Sequence, residues 1–331
     1  MHEPAFWHRP RALMSDMLAP VAAIYGAISG ARMQRPGTSA GIPVICVGNY
    51  HAGGAGKTPT VLALLGMLRA SGEIPVVLSR GYGGQLSGPV QVDLARHTAG
   101  DVGDEPLMMA AHAPVVVARD RVAGAELAKA NGASIIVMDD GFQNPSLNKD
   151  ASIIVIDSVR GLGNACVFPA GPLRAPLELQ LARTDALIVI GEGSAADNIA
   201  VEVEARGGLV VRARIVPEPA SLVALHGQRV LAFAGIGDPE RFFSTLRAHG
   251  VDVAATEIFP DHHPFTMRDI DGLAARARSQ GLLLVTTEKD QTRLRGMAHL
   301  PPLATFKVGL EFGQRERLVQ FVASRLAKAR T

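Results

Sequence analysis

Short runs rich in valine and isoleucine, repeated along the first part of the chain, are the feature that most constrains its fold. The runs cover residues 42–48, 74–79, 114–118, 133–138, 151–156 and 186–190. Helical patterns lie between several of them, including residues 104–111 and 122–131. Continuous apolar strands that alternate with helices are typical of a parallel sheet buried on both faces. The sequence therefore predicts an α/β domain built on a mostly parallel sheet.

The pattern changes near residue 200. Segments 200–205 and 209–216 are separated by Gly207 and Gly208, which predicts a β-hairpin. Beyond it, strands at 230–234, 251–258 and 282–286 alternate with helices at 239–249, 267–279 and 314–329. We therefore expect an N-terminal amphipathic helix in 1–36, a large α/β domain in 37–198, a β-hairpin linker in 199–219 and a smaller α/β domain in 220–331.

Composition describes a globular chain. Its 331 residues suffice for two domains, and 47% hydrophobic with 19% charged residues excludes disorder. A net charge of +2 is too small for a nucleic-acid binder that acts through bulk electrostatics. Cys46 and Cys166 lack the spacing of a redox or zinc pair, which favours buried thiols in a reducing cytoplasm. Nothing in the sequence indicates an obligate protein partner.

The N-terminal segment 13–31 is apolar apart from Asp16 and a few small polar residues. Arginines flank it, at Arg9, Arg11, Arg32 and Arg35. Asp16 and Pro20 argue against a membrane span, because a charge in the bilayer centre is costly. Two alternatives remain open from the residues alone. The segment is either an amphipathic helix lying in a membrane interface, with arginines toward lipid phosphates, or a surface helix packed on the core.

Residues 53–58 read Gly-Gly-Ala-Gly-Lys-Thr and lie between the first predicted strand and the first predicted helix. Such glycines let backbone N–H groups turn toward phosphate oxygens, a lysine such as Lys57 reaches the terminal phosphates, and a hydroxyl such as that of Thr58 holds Mg²⁺. The pattern also requires a glycine at position 51, where this chain has His51. A nucleoside triphosphate site is predicted, with an ordinary glycine-rich turn as the alternative.

Two pairs of acidic residues follow at informative places. Asp139 and Asp140 come directly after the apolar run 133–138, where a carboxylate can hold Mg²⁺ or its waters. Their alternative is a helix cap or a solvated loop. Asp104 and Glu105 begin a predicted helix, where capping is the simple explanation. The functional alternative is that one acid binds metal and the other helps to activate an acceptor hydroxyl.

The predicted smaller domain contributes a cluster of its own, Asp261-His262-His263, in a loop after a strand. A histidine can take a proton from a hydroxyl near neutral pH, and an adjacent acid can orient it. No further ligand follows at metal-site spacing, which disfavours structural zinc. Residues 286–290, Thr-Thr-Glu-Lys-Asp, follow another strand and either cap the next helix or line the cleft.

Taken together, several motifs resemble those of the tetraacyldisaccharide 4′-kinase family, from about Phe6 to the last strand. They occupy residues 48–49, 53–59, 79–82, 103–106, 139–143, 169–174, 259–263 and 286–290. The resemblance implies a P-loop kinase domain and a smaller domain, joined by a two-stranded β linker and closing around nucleotide. It also implies transfer of the γ-phosphate of ATP to the 4′-hydroxyl of a tetraacylated glucosamine disaccharide 1-phosphate in lipid A biosynthesis. The enzyme would lie at the cytoplasmic face of the bacterial inner membrane, held peripherally by the N-terminal helix.

By motif position, the resemblance implies roles for individual residues. The catalytic residues would be Asp104, His262 and Asp261. ATP would be bound by Gly53, Gly54, Ala55, Gly56, Lys57, Thr58 and Pro59. Mg²⁺ would be held by Thr58, Glu105, Asp139 and Asp140, directly or through water. The substrate cleft would be lined by Asn49, Tyr82, Gln143, Arg174 and His263. The chain departs from the family pattern at 144–146 and at Ala175, so the contacts expected there do not carry over.

Overall fold

A computed structural model describes residues 4–9 and 13–331, so the flanking Arg11 lies outside the described residues. The strands are β1 (Val44–Gly48), β2 (Pro75–Ser79), β3 (Val90–Gln91), β4 (Val115–Val117), β5 (Ile135–Asp139), β6 (Ala151–Asp157), β7 (Ala186–Ile190), β8 (Leu209–Pro217), β9 (Arg229–Ala234), β10 (Asp252–Ile258), β11 (Leu283–Thr287), β12 (Leu303–Phe306) and β13 (Val308–Phe312). The helices are α1 (Leu13–Met33), α2 (Lys57–Ala70), α3 (Ala99–Val102), α4 (Asp104–Ala110), α5 (Arg121–Ala130), α6 (Leu177–Leu181), α7 (Asp197–Ala205), α8 (Pro219–Leu225), α9 (Pro239–Ala248), α10 (Met267–Gln280), α11 (Glu288–Leu294) and α12 (Arg315–Ala329). A 3₁₀ turn covers Ala5–His8.

The large domain is built on a nine-stranded sheet in the order β13-β8-β7-β6-β1-β5-β2-β4-β3. Its inner strands, from β8 to β4, run parallel, and the edge strands β13 and β3 run antiparallel to their neighbours. The predicted parallel sheet is confirmed. β1 lies in the middle, between β5 and β6, so the loop after β1 opens where the carboxyl ends of the parallel strands meet.

Both faces of this sheet are buried, as the continuous apolar runs predict. Alternate residues of β1 point to opposite sides: Ile45 and Val47 join the core under α2, and Val44 and Cys46 join the core under α5. This two-sided burial fixes the register of the central strand, because a slip of one residue would exchange its two faces. The loop that follows β1 therefore starts from a rigid position.

The smaller domain has a four-stranded parallel sheet in the order β10-β9-β11-β12. Apolar clusters cover both of its faces, one around Phe243 and the other around Phe233. Because β9 and β11 are central, the loops after β9, β10 and β11 gather at one edge of the sheet. That edge carries residues 259–263 and 286–290.

The predicted hairpin over residues 199–219 is wrong. Asp197–Ala205 forms the helix α7, because Ala200 and Val203 lie three residues apart and both face the core. Gly207, at φ 80°, ends this helix before β8 begins. The partner of β8 is β13, with Leu310 opposite Ile215. The two-stranded linker is thus formed by β8, which leads into the smaller domain, and β13, which leads back.

The last helix was expected in the smaller domain, and the structure differs. Leu318, Val322 and Leu326 of α12 pack into the core of the large domain, beneath the same sheet face as α2. The physical reason is that β13 returns the chain to the large sheet before α12 begins. The smaller domain therefore ends near β12, and the terminal helix closes the large domain.

The N-terminal helix α1 packs on the large domain through small residues. A Cβ atom at Gly26 would lie 3.6 Å from Val167 and Pro176, and Gly26, Ala22 and Gly30 are buried. By length and composition α1 is the one helix in the described part of the chain that could cross a membrane, which by itself is weak evidence. Met33, its last residue, is buried, but most of its large apolar side chains are exposed. The exposed ones are Leu13, Met14, Met17, Val21, Ile24, Tyr25 and Ile28.

Candidate active site

The loop between β1 and α2 has the geometry of a phosphate cradle. Gly53 and Gly56 adopt positive φ angles of 101° and 89°, which glycine reaches without steric cost. Asn49 is buried and donates a hydrogen bond from Nδ2 to the carbonyl of Gly53, at 3.0 Å. The helix α2 begins at Lys57, so its free N–H groups and positive dipole end face the loop. An anionic phosphate group is the ligand that this arrangement favours.

Asp139 and Asp140 end the neighbouring strand β5, on the same edge of the sheet. Ser79 donates a hydrogen bond from Oγ to Asp139 Oδ2, at 3.2 Å. Among the residues that the structure describes, Asp139 Oδ1 has no hydrogen-bond partner, although that atom is buried. Burial, reinforced by the carboxylate of Glu105, raises the pKa of Asp139 to about 7. A buried carboxylate with an unmet acceptor is suited to a cation.

Asp140 has the opposite electrostatic surroundings. It adopts a φ of 49°, and its carboxylate accepts two hydrogen bonds from Arg174, at 2.7 and 3.1 Å. Lys57 Nζ lies 3.8 Å from Asp140 Oδ2. Although burial raises the pKa of Asp140, Lys57 and Arg174 outweigh it and bring that pKa down to about 2. This carboxylate is therefore anionic at neutral pH.

The smaller domain meets this edge through His262. Its Nδ1 lies 2.9 Å from Oδ2 of Asp104, at the start of α4 in the large domain. His262 adopts a φ of 59°, a strained value for a residue with a side chain, and this conformation turns the imidazole toward Asp104. Asp261 Oδ2 lies 3.8 Å from Nε2 of the same ring. Because Asp104 accepts the Nδ1 proton, Nε2 is the nitrogen left to act as a base.

Cations from α11 surround the same carboxylates. Arg293 donates to Asp104 Oδ2 at 2.6 Å, and Lys289 lies 3.2 Å from Glu105 Oε1. Burial raises the pKa of Asp104, but His262, Lys289 and Arg293 outweigh it and hold that pKa well below its usual range. Burial lowers the pKa of Lys289, but the carboxylates of Glu105 and Asp104 outweigh it and raise that pKa. Asp104 is therefore anionic and Lys289 cationic at neutral pH.

The two clusters form one cleft. Burial first, and then the charge of Glu105, raise the pKa of Asp139, and the charge of Lys57 acts on it in the opposite direction. Glu105 in turn follows Asp104, which contacts His262. The structure thus brings the glycine loop of the large domain and the histidine of the smaller domain to one site.

Other predicted site residues have protein contacts of their own. Gln143 donates from Nε2 to the carbonyl of Asn49 and to Oε1 of Gln180, at 2.7 and 2.9 Å. His263 lies 3.1 Å from Asp269 and stacks on Phe259, on the side of α10 instead of the Asp104 side. These contacts with the protein are sufficient to give Gln143 and His263 a structural role.

Three more predicted positions differ in exposure and contacts. Tyr82 is 72% exposed, and the centroid of its ring lies 6.1 Å from that of His262. Thr58 is half-buried in the first turn of α2, and Pro59 follows it. The departure at 144–146 forms a local turn, in which Asn144 accepts a hydrogen bond from the backbone N–H of Ser146, at 2.8 Å.

Sequence reasoning assigned no individual role to several residues of the cleft. Arg293 and Lys289 approach the carboxylates from α11, and Ser79 and Arg121 approach Asp139 from the side of the sheet. Arg121 is buried and donates to the backbone carbonyl of Asp139, at 3.4 Å. Ser79 and Lys289 lie inside motifs that the sequence singled out, so a signal existed. Arg293 and Arg121 lie in helices with no local signature.

No three His, Cys, Asp or Glu side chains within residues 4–9 and 13–331 are close enough to hold a metal ion together. The fold and site define a P-loop nucleotide-binding protein in which a second α/β domain supplies a histidine to the phosphate edge. A sequence model of the tetraacyldisaccharide-1-P 4′-kinase family, LpxK, matches residues 14–327. The chain belongs to this family.

Similar proteins agree with this membership. A tetraacyldisaccharide 4′-kinase from Nitrobacter hamburgensis is 62% identical over 334 residues, covering 100% of both chains. One from Rhodopseudomonas palustris is 62% identical over 332 residues, covering 100% of this chain and 98% of its own. A crystal structure of LpxK from Aquifex aeolicus in complex with ATP is 25% identical, with a TM-score of 0.75, and covers 95% of this chain and 100% of its own.

Proposed function

We propose that this chain transfers the γ-phosphate of ATP to the 4′-hydroxyl of a tetraacylated glucosamine disaccharide 1-phosphate, a step of lipid A biosynthesis. Support comes from the family, from the names of its relatives and from the ATP complex of the Aquifex aeolicus protein. The observation that carries the proposal is the contact of 2.9 Å between His262 and Asp104 in the same cleft as the glycine loop. A nucleotide phosphate and a general base can therefore meet.

At the nucleotide end, residues 53–59 would bind ATP, with Lys57 on the phosphates. Lys57 lies 3.8 Å from Asp140, so the lysine is already held at this edge. Thr58, Glu105, Asp139 and Asp140 would hold Mg²⁺, directly or through water. The buried Asp139 Oδ1 and the raised pKa of its carboxyl group fit a cation at this position. When bound, Mg²⁺ supplies neutralisation of phosphate charge.

At the acceptor end, His262 would take the proton of the sugar hydroxyl on Nε2. Asp104 would hold Nδ1–H and stabilise the imidazolium that forms, because its carboxylate stays anionic. Asp261, at 3.8 Å from Nε2, would help to orient the ring. This arrangement supplies positioning and one proton acceptor, which phosphoryl transfer requires more than covalent catalysis.

The remaining cleft residues would contribute in different ways. Tyr82 is exposed beside His262 and is suited to direct contact with a sugar ring. Arg174 would act through Asp140, to which it is paired. Asn49 and Gln143 hydrogen-bond the protein and would shape the cleft, and His263 would support the loop that carries His262.

The lipid substrate agrees with α1 as a membrane-associating element. Its outward apolar side chains form a stripe on the face opposite Gly26 and Gly30, and inner positions such as Ala22 pack on the protein. An apolar stripe that the protein leaves uncovered is suited to the acyl region of a membrane interface, and the flanking Arg32 and Arg35 are suited to lipid phosphates. We place this interface on the cytoplasmic face of the inner membrane, where ATP is available.

The deciding experiment follows the labelled phosphate. With γ-labelled ATP, Mg²⁺ and tetraacyldisaccharide 1-phosphate in detergent micelles, we expect label in the glycolipid, and none after Lys57→Ala, which removes the phosphate-binding cation. Label found only as free phosphate would instead favour a nucleotide-hydrolysing switch. A third outcome would favour a kinase that acts in solution. In that outcome, a soluble acylated sugar is phosphorylated as fast as the glycolipid, and deletion of residues 1–36 does not change this rate.

A further inference from the structure

Arg293 is a buried cation to which the proposed function assigns no role. Its Nε and Nη2 both donate to Asp104 Oδ2, at 2.9 and 2.6 Å, and its Nη1 donates to the carbonyl of Gly235 and to Asp290 Oδ1, each at 2.7 Å. The side chains of Arg293 and Asp104 are each only 6% exposed. A single guanidinium group thus joins a carboxylate of the large domain to the end of β9 in the smaller domain.

The backbone of Gly235 connects this arginine to the histidine loop. The Gly235 carbonyl also accepts the backbone N–H of His262, at 3.1 Å. Its own N–H donates to the carboxylate of Asp290, at 3.2 Å. Asp290 is fully buried and lies three residues before Arg293 on α11, so both side chains lie on one face of that helix. The α11 helix therefore holds both the backbone N–H and the backbone carbonyl of Gly235, the residue on which the His262 loop rests.

His262 needs such support, because its φ of 59° is a strained conformation for a non-glycine residue. Strain of this kind persists only where surrounding contacts fix the residue. The imidazole meets the same oxygen of Asp104 that Arg293 holds. Arg293 therefore contacts both the carboxylate partner of His262 and the carbonyl that holds its backbone.

We propose that Arg293 is a positioning residue for phosphoryl transfer. It holds the Asp104 carboxylate and the Gly235 carbonyl so that His262 keeps Nδ1 on Asp104 and presents Nε2 to the acceptor hydroxyl. This inference rests on the proposed function. Arg293 is buried and acts through Asp104 and His262, without touching substrate. Its planar fork spans partners that the single ammonium of a lysine cannot bridge together.

The first test separates positioning from binding. In Arg293→Met, we expect kcat to fall by at least about tenfold, with KM for ATP changed by less than about threefold, because the nucleotide loop is untouched. In Arg293→Lys, which keeps the charge and loses the fork, we expect kcat to fall by at least about fivefold. If the methionine variant does not fold, the lysine variant decides. A folded lysine variant with wild-type kcat overturns the proposal.

The second test asks whether Arg293 acts through the histidine. In a His262→Ala background, adding Arg293→Lys should change kcat by less than about twofold, because the group that it positions is gone. An equal loss of kcat in both backgrounds would mean that Arg293 has a separate, structural role, and would overturn the proposal. Glycolipid phosphorylation is the readout throughout, with circular dichroism to verify folding.

A matched control is Arg276→Met, which breaks the ion pair with Glu257, at 2.7 Å, on the same domain but away from the cleft. We expect its kcat to stay within about twofold of wild type, since the pair is exposed. The wild-type enzyme distinguishes the two hypotheses. If it does not phosphorylate the glycolipid, the proposed function fails. If it does and the Arg293 variants match it, only the positioning role fails.

Discussion

Asp139 and Asp140 are adjacent in the sequence, yet the fold gives their carboxyl groups opposite environments. Burial and the nearby acid Glu105 raise the pKa of Asp139 to about 7, whereas Lys57 and Arg174 outweigh burial and lower that of Asp140 to about 2. A raised pKa means that the folded state binds this proton more tightly than the unfolded chain. The contribution of protonated Asp139 to folding stability is therefore fully present below about pH 4, and it is lost as pH rises toward 7.

The first residue-scale prediction concerns Asp139→Asn in nucleotide-free protein. Because the amide carries no charge to bury, Tm should rise by about 3 °C or more at about pH 8, and this advantage should shrink as pH falls toward about 4. The same variant should lose glycolipid phosphorylation, because the cation site loses a carboxylate. Thermal melts across this pH range measure the effect.

Asp140→Asn is the matched control for that experiment. Its lowered pKa gives the opposite sign: the charge of Asp140 stabilises the fold above about pH 4, and that stability is lost as pH falls through its folded pKa. The control variant should therefore melt below wild type at neutral pH. Equal melting temperatures for Asp139→Asn and wild type at about pH 8 would contradict the electrostatic difference between these neighbours.

At the same scale, the sequence predicted a site residue where that residue stands in a motif whose residue types indicate a reaction or a ligand. Lys57, Asp104 and His262 each stand in such a motif, and the geometry brings Asp104 and His262 into contact. Arg293 could not be named, because its partners Asp104 and Gly235 are distant in the chain and meet it only after both domains have folded. An arginine in a short helix has no local feature that separates a buried bridge from a solvated side chain.

At the scale of elements, local pattern predicted the strands of the large sheet well and the linker badly. The inner strands are short continuous apolar runs, a pattern that is typical of parallel strands buried on both faces. In residues 200–205, by contrast, β-branched side chains favoured a strand, and the tertiary packing of Ala200 and Val203 made a helix. The partner of β8 is β13, and the whole smaller domain lies between them in the sequence. Neither segment has a local pattern that indicates a partner so distant in the chain.

The element-scale prediction concerns the outward stripe of α1. Ile24 and Ile28 are each 65% exposed and would insert into a lipid surface. Replacing both with glutamine should lower binding to anionic phospholipid vesicles by at least about tenfold, because each buried isoleucine contributes about 1.5–3 kcal/mol. Vesicle co-sedimentation measures the binding, and Tm should be unchanged because neither side chain packs on the protein.

Two exposed residues outside α1 give the control for the stripe. Ile74 and Val201 are 58% and 65% exposed, and their replacement with glutamine should leave vesicle binding as in wild type. If both double variants bind vesicles as wild type does, α1 is an ordinary surface helix, which is the alternative that the sequence left open. A parallel loss of binding in both would indicate a general effect of hydrophobicity.

At the scale of the whole molecule, two more ion pairs join the domains besides the contacts of His262 and Arg293 with Asp104. Arg160 of the large domain pairs with Asp238 at 2.8 Å, and Arg241 of the smaller domain pairs with Asp157 at 2.6 Å. Each domain thus gives one cation and one anion to the other. Asp157 ends β6, next to the strand that leads into the glycine loop. The sequence shows these charges and cannot pair them, because the pairing depends on how the domains are joined.

These two ion pairs differ in exposure, and that difference predicts how strongly each pair holds the two domains together. The Asp157 side chain is 5% exposed, whereas Arg160 and Asp238 are 33% and 36% exposed. Arg241→Gln leaves a buried carboxylate without its cation and should open the nucleotide-free protein, with a larger radius of gyration in X-ray scattering and a KM for ATP raised by about threefold or more. Arg160→Gln removes a solvated pair. It should leave the radius of gyration as in wild type and change KM for ATP by less than about twofold. Equal effects of the two substitutions would mean that burial does not govern how the domains hold together.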